Sequence, residues 1–303
     1  MTGVPLLGTR FLLLVSVLIW GSTFVAMKLA LKEVTPLELV ALRFSIGLPV
    51  LGLVLRAKRI PLGFERRDAP ALLAGSAILL VHFLAQPFAL SLEGSTATNT
   101  GWIISFSPLG IAILSRAILG ERLSAGQVLG IALATAGLLL LVSKGDLGSL
   151  AWLESRGDWI VFGTAFTWAL YTIVTRDLSR RRSPLAVTLV VFLPLCLLSL
   201  ALVLARSDLA RLAHLSRATV MSILFLGVLG TLAQWFWQLG VGKLGAARAG
   251  VFLYLEPLAT TALAAPLLGE TLGIPAAIGA ALLLLGVWQA ERSPARAVPE
   301  PAS

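Results

Sequence analysis

The chain has 303 residues, of which 57% are hydrophobic and only 13% charged, against roughly 25% charged in an average soluble domain; its mean hydropathy is +0.92. So little polar surface cannot cover a water-soluble fold, which excludes a cytoplasmic enzyme, a disordered chain and, with Cys196 as the only cysteine, a disulfide scaffold. The net charge of +9 sits in short connectors rather than on one extended face, so it reads as topology signal and attraction to lipid headgroups rather than nucleic-acid binding.

Apolar stretches of about 20 residues, each enough to cross ~30 Å of hydrocarbon, recur along the chain. They predict ten spans: Phe11–Leu31, Leu37–Leu55, Ala69–Leu90, Ser95–Leu119, Ser124–Val142, Asp158–Arg176, Pro184–Ala205, Thr219–Leu239, Gly245–Leu267 and Gly273–Ala290. Backbone groups in lipid must be satisfied within the chain, so these are helices; the alternation of barrel strands is missing. The first span follows Arg10 as a signal peptide would. It is too long for one, lacks a small-residue cleavage site and has a later counterpart, so it is read as retained.

Polar and aromatic groups inside spans are costly in lipid and predict faces turned to a cavity or a neighbouring helix. Span one places Trp20, Thr23 and Met27 on one face, while Gly21 and Ser22 permit close helix approach or local unwinding. Lys28, near its end, is expected to snorkel outward. Span two holds Arg43, read as structural, with Glu38 of its own helix as partner. Span three carries His82 and Gln86 one turn apart; His82 is either a hydrogen-bonded packing residue or a donor titrating near neutral pH.

Span four opens with Ser95, Thr96, Thr98, Asn99 and Thr100, then Trp102 and Ser105, before Pro108. Span six repeats the theme of span one with Trp168, Tyr171 and Thr175. Tryptophan at membrane depth is commonly a headgroup anchor, but Trp20 and Trp168 lie nearer mid-span, which favours cavity lining. Span eight offers Gln234 and Gln238 with Trp235 and Trp237 between them, and span nine places Tyr254 and Glu256 before Pro257. Pro108 and Pro257 each remove a helix hydrogen bond and mark hinges. Glu256 either pairs with Lys28 or Arg43 or titrates as a coupling group, as His82 does in its functional reading.

Spans five and ten are nearly free of polar groups. Gly126, Gly130 and Ala134 in one and Ala276 and Ala280 in the other allow close helix approach, at the periphery or in a dimer. Glu121 and Glu270, just after spans four and nine, read as carboxylates at positive helix starts rather than catalytic acids. Ser124 and Gln127 fit a capping box.

With the first residue inside, lysines and arginines in the connectors number sixteen on the cytoplasmic side and six outside. That bias predicts both termini in the cytoplasm. The halves also resemble each other. Trp20 and Trp168, like Pro36 and Pro184, are 148 positions apart; further on the offset is 149, matching Pro108 with Pro257, Gly120-Glu121-Arg122-Leu123 with Gly269-Glu270-Thr271-Leu272, Gly130 with Gly279 and Gly137 with Gly286. An odd number of spans in each half turns the second upside down, and inverted repeats place a substrate site near the midplane. The expected fold is all-α integral membrane, ten transmembrane helices in two inverted five-helix repeats around a central cavity. The repeats are expected at 8–143 and 158–292, joined by an outer connector at 144–157, with a disordered cytoplasmic tail at 293–303.

Ten such spans, the Trp20-Gly21-Ser22-Thr23-Phe24 segment and the repeated Pro…Gly-Glu endings resemble an EamA-type permease of the drug/metabolite transporter superfamily over residues 8–292. The resemblance implies efflux or exchange of small metabolites, and its exporter branch implies amino acids, aromatic ones included. The second half departs from the pattern, with Trp168-Ala169-Leu170-Tyr171 where the first has Gly-Ser-Thr, so the halves are not functionally equivalent.

The expectation is an alternating-access exporter in the cell (inner) membrane, a monomer or homodimer. Its substrate is a small zwitterion held by Trp20, Thr23, His82, Gln86, Asn99, Trp102, Trp168, Tyr171, Trp235, Gln238 and Tyr254. Gly21, Pro108 and Pro257 are its hinges, and Glu256 or His82 is the coupling group. Uniport is preferred to proton antiport because no two carboxylates converge. No HExxH, Walker A loop, GxSxG or cysteine cluster is present, so neither enzyme activity, cofactor, metal nor nucleic-acid partner is expected. A lipophilic-cation exporter is the nearer alternative and a membrane enzyme on lipid-linked substrates the more distant one.

Overall fold

The computed structural model describes residues 5–268 and 273–293. The described residues contain helices and no strand. The first half comprises α1 (Leu6–Ala30), α2 (Pro36–Ala57), α3 (Ala69–Ser91), α4 (Ala97–Ile103), α5 (Ser107–Ile118) and α6 (Ala125–Val142). The second comprises α7 (Arg156–Arg181), α8 (Pro184–Arg206), the single turn α9 (Leu209–Leu212), α10 (Arg217–Leu244), α11 (Ala246–Val251), α12 (Glu256–Leu268) and α13 (Ile274–Arg292). Eight helical stretches, α4–α5 counted as one, are long and apolar enough to cross a membrane. The other two long ones are α7 and the broken helix from Ala246 to Leu268, so the ten-span reading is compatible with the fold. Glu270 and the expected tail beyond Ser293 lie outside the described residues.

Several helix starts follow from local chemistry. Thr35 with Glu38, Ser124 with Gln127 and Ser155 with Asp158 form reciprocal capping boxes, each satisfying backbone donors that a helix start leaves unpaired. The fourth and ninth spans are each broken in two. A 3-10 turn at Ile104–Phe106 precedes Pro108, and another at Phe252–Leu255 precedes Pro257. Proline has no N–H to continue the earlier helix, so each proline opens a new helix instead of kinking one.

The two halves run in opposite senses. Arg10 and Glu291 form an ion pair at 2.9 Å, so α1 begins on the face where α13 ends. Ser155, capping α7, meets Ser95 beyond the end of α3 at 3.2 Å, so α7 begins on the opposite face. Each half packs against the other: α1 on α10, α2 on α8 and α10, α3 on α7, and α6 on α13.

The last pair uses small residues in a reciprocal way. A Cβ on Gly130 would lie 2.6 Å from the Gly286 carbonyl, and one on Gly286 would lie 2.5 Å from the Gly130 carbonyl. Gly137 and Gly279 repeat the relation at 2.6 and 2.7 Å. Such backbone proximity is what small residues permit between membrane helices. Spans five and ten therefore meet each other within one chain, and turn Leu129, Ile278 and Leu285 outward.

Connectors lock the ends. Ser216 donates from its hydroxyl and its N–H to the Glu33 carboxylate, holding that acid below its ordinary value. On the other face Arg182 does the same for Glu65, at 2.6 Å, and also pairs with Asp68 at 2.7 Å.

Candidate functional site

Mid-depth between the halves lies a cavity with about 440 Å³ of atom-free space. From the first half α1 supplies Trp20, Thr23 and Phe24, α2 supplies Arg43, α3 supplies His82, Phe83 and Gln86, and the helix break supplies Ile104 and Ser107. The second half adds Trp168 from α7, Gln234 from α10, and Leu253 and Glu256 from its own break.

One wall is aromatic. Trp20 and Trp168 meet edge to face with centroids 5.1 Å apart, and Trp237 lies 5.7 and 5.8 Å from the two. His82 meets Trp168 in a tilted contact with centroids 5.1 Å apart, while its Nδ1 lies 2.9 Å from the Thr167 hydroxyl. The Arg43 guanidinium sits 5.0 Å from the Phe44 ring and 5.1 Å from that of Phe83, close enough for attraction to the ring faces.

The polar side of the cavity is incompletely satisfied. Arg43 Nε, Trp168 Nε1 and Gln234 Oε1 are buried and lack a hydrogen-bond partner. Arg43 and Glu256, 4% and 5% exposed, take part in no ion pair among the described residues. Buried polar groups are otherwise nearly always paired, so an unpaired guanidinium and an unpaired carboxyl lining one cavity call for an explanation. The arrangement can hold a small molecule that is apolar on one side and carries both charge signs on the other.

Toward the face of Arg10 and Glu291 the cavity is closed by successive layers. Tyr171 accepts from Gln238 and, at 3.4 Å, from Gln234; Gln238 also bonds Thr175 at 3.2 Å and Ser179 at 3.1 Å. Beyond them Leu13 fills the space beside Gly240, and Glu121 pairs with Arg176 at 2.9 Å. Toward the opposite face a larger cavity, about 1770 Å³ of atom-free space, is lined by Asn99, Trp102, Trp152 and Asp158 among others.

The structure thus brings Trp20, Thr23, His82, Gln86, Trp168 and Glu256 together and distributes the other expected site residues elsewhere. Asn99 is at the outer cavity, donating to the Trp152 carbonyl at 2.9 Å and to Asp158 at 2.8 Å. Trp102 is there too, its Nε1 donating to Thr261 at 2.9 Å. Tyr171 and Gln238 belong to the closing layer. Tyr254 shares a hydrogen bond of 2.7 Å with Thr135 of α6. Trp235 packs outside the cavity, while Trp237, about 200° away on the same helix, is fully buried against Trp20 and Trp168.

Three pairings come out differently from expectation. Glu38 caps Thr35 and pairs with Arg211 at 2.6 Å, which leaves Arg43 to the cavity instead of to Glu38. Lys28 does not reach for solvent; its Nζ donates to the carbonyls of Leu90 at 2.9 Å and Ser95 at 2.7 Å, so it is not the partner of Glu256. Glu121 sits at a helix start as expected, but the helix is α11 of the other half, through the N–H groups of Ala246 and Ala247. Gly21 allows close approach without unwinding: its Cβ would lie 2.7 Å from Ala259 Cβ on α12, and its carbonyl accepts from Thr260 at 3.0 Å.

A model of the EamA-like transporter family matches residues 8–143 and, a second time, residues 155–290. The chain is 30% identical over 287 residues to a protein named probable amino-acid metabolite efflux pump from Salmonella typhimurium, covering 92% of this chain and 93% of that one. Over 286 residues it is 29% identical to an uncharacterized transporter of Archaeoglobus fulgidus, covering 92% and 96%. A crystal structure shares the fold, with a TM-score of 0.74 over 93% of this chain and 96% of that one, at 23% identity.

Proposed function

The chain belongs to the EamA-like transporter family, and on that premise we propose that it exports amino acids or close metabolites of them, neutral and aromatic ones included, by alternating access between its two halves. One observation carries the reading: Arg43 and Glu256, a basic and an acidic group that enter no ion pair among the described residues, line one cavity beside a wall of tryptophan. A free amino acid supplies what each lacks. Its carboxylate suits the planar guanidinium, its ammonium suits Glu256, and an aromatic or aliphatic side chain suits Trp20 and Trp168. The efflux-pump names of the Salmonella typhimurium and Escherichia coli relatives support the same substrate class.

Inverted repeats that meet around a midplane site rock against each other to expose it alternately. The breaks before Pro108 and Pro257 sit at the cavity wall, where a change of tilt disturbs fewest helix hydrogen bonds. The conformation described is closed toward the face that the charge count places in the cytoplasm. Among the described residues no second carboxylate lines the cavity beside Glu256, which favours uniport over proton antiport. A lipophilic-cation exporter would use Glu256 as well, but Arg43 in the same cavity opposes a lone cation.

Counterflow into liposomes containing the purified protein, with labelled amino acids, nucleosides and quaternary amines, tests this. Amino acids should accumulate and the others should not. Accumulation of the quaternary amines alone would overturn the substrate assignment.

A further inference from the structure

A separate cavity opens at the face where Arg10 meets Glu291. It holds about 680 Å³ of atom-free space between the 119–124 connector of the first half and, in the second, the ends of α7 and α10 and the start of α11. Five cationic side chains line it: Arg122, Arg176, Arg180, Lys243 and Arg248. Among the described residues the one lining carboxylate, Glu121, is already engaged by Arg176 at 2.9 Å and by two backbone N–H groups at 3.4 and 3.2 Å.

Arg122 and Arg180 are exposed and enter no ion pair among the described residues. Arg248 gives Nη2 to the Ser293 carbonyl at 2.6 Å, is attracted electrostatically to Glu291, and keeps a buried Nε without a hydrogen-bond partner. Nearby cations on this face are matched, by contrast: Arg182 with Glu65 and Asp68, Arg181 with Asp68, and Arg10 with Glu291. Cations gathered in one pocket repel one another, and guanidinium forks suit phosphate oxygens in pairs.

We infer that this cavity binds a phosphate-bearing anion, the chemistry shared by an acidic lipid headgroup and soluble phosphate. The cavity lies at the ends of the spans, and basic pockets between membrane helices recognise headgroups of this kind. Because Arg122 belongs to one half and Arg180 and Arg248 to the other, the occupant bridges the halves on the closed side and holds them together.

The test is thermal unfolding of the purified full chain in neutral detergent, titrated with phosphatidylglycerol, phosphatidylcholine, or inorganic phosphate against chloride at equal ionic strength. Binding to the folded state raises the midpoint. Phosphatidylglycerol should raise it and phosphatidylcholine should not; an equal effect of inorganic phosphate assigns the site to the soluble ion. The double variant Arg122→Gln/Arg180→Gln, whose changes are at exposed positions, should keep its ligand-free midpoint and need at least tenfold more phosphatidylglycerol for the same rise. Arg248→Gln should behave likewise. No rise in the unmodified protein, or an unchanged rise in the double variant, overturns the assignment.

Discussion

Trp20 and Trp168 occupy corresponding positions of the two halves, 148 residues apart in the chain, and their rings touch edge to face at 5.1 Å. Corresponding residues of an inverted repeat can meet only near the axis that relates the halves. The reciprocal contacts of Gly130 with Gly286 and Gly137 with Gly279 mark the same axis further out. The cavity lies beside it, so a tilt of one half against the other changes both of its walls at once.

Removing one charge from the cavity should show in selectivity. A hydrogen bond to a charged group contributes about 1.5–3 kcal/mol, so Arg43→Gln or Glu256→Gln should weaken apparent amino-acid affinity in counterflow by roughly 10- to 100-fold. Glu256→Gln should spare carboxylic acids without an amino group, and Arg43→Gln should spare amines without a carboxylate. Identical substrate profiles in both variants would remove the charge-matching account.

The indole at 168 has two separable roles. Trp168→Ala deletes the ring that meets Trp20, His82 and Trp237, and should lower stability by about 3–5 kcal/mol. Trp168→Phe retains much of the packing, with a cost of about 1.5 kcal/mol or less, but loses the unpartnered Nε1 donor. Thermal unfolding should separate the two variants, while counterflow should find both impaired.

Glycine substitutions should split by location. Gly130→Val places carbons within 2.6 Å of the α13 backbone, and should prevent α6 from docking, read as a large drop in unfolding midpoint or loss of folded material. Gly163, on an exposed turn of α7, has nothing within 4 Å of its would-be Cβ. Gly163→Ala should therefore stabilise by about 0.5–1 kcal/mol, the helix-interior difference between the two residues.

Acid should loosen the Glu65–Arg182 clasp. The hydrogen bond from Arg182 holds the folded Glu65 carboxyl below its ordinary value of 4.5, so the folded state binds fewer protons than the unfolded one around that pH. Its contribution is complete above the ordinary value and disappears as pH falls through the lower folded one. The difference in unfolding midpoint between the unmodified protein and Glu65→Gln should shrink between neutral pH and about pH 3, near the lower end of carboxyl titration.

The Arg10–Glu291 pair puts both ends on one face. With the buried Cys196 replaced by alanine, single cysteines at positions 3 and 298 should react with an impermeant maleimide from the same side of sealed vesicles, and that side should be the cytoplasmic one. Reaction from opposite sides would contradict the ten-span arrangement.

Several features were legible in the amino-acid order alone. Spans announce themselves because lipid demands long apolar helices, and the halves because Pro108 and Pro257, or Gly130 and Gly279, recur at a fixed offset. Trp20, His82, Gln86 and Trp168 could be picked out because polar or indole groups are costly at mid-depth. Pairing could not. Glu38 lies five residues from Arg43, yet the fold brings Arg211 to it from 173 positions away and leaves Arg43 facing Glu256 across open space. Asn99 and Tyr254 are as polar as Gln86, but neighbouring helices happen to satisfy them. Composition and periodicity determine which segments enter the membrane, since transfer into lipid is a property of each segment by itself. Which buried charges stay unmatched depends on how ten segments rotate and dock, and only the packed tertiary structure decides that.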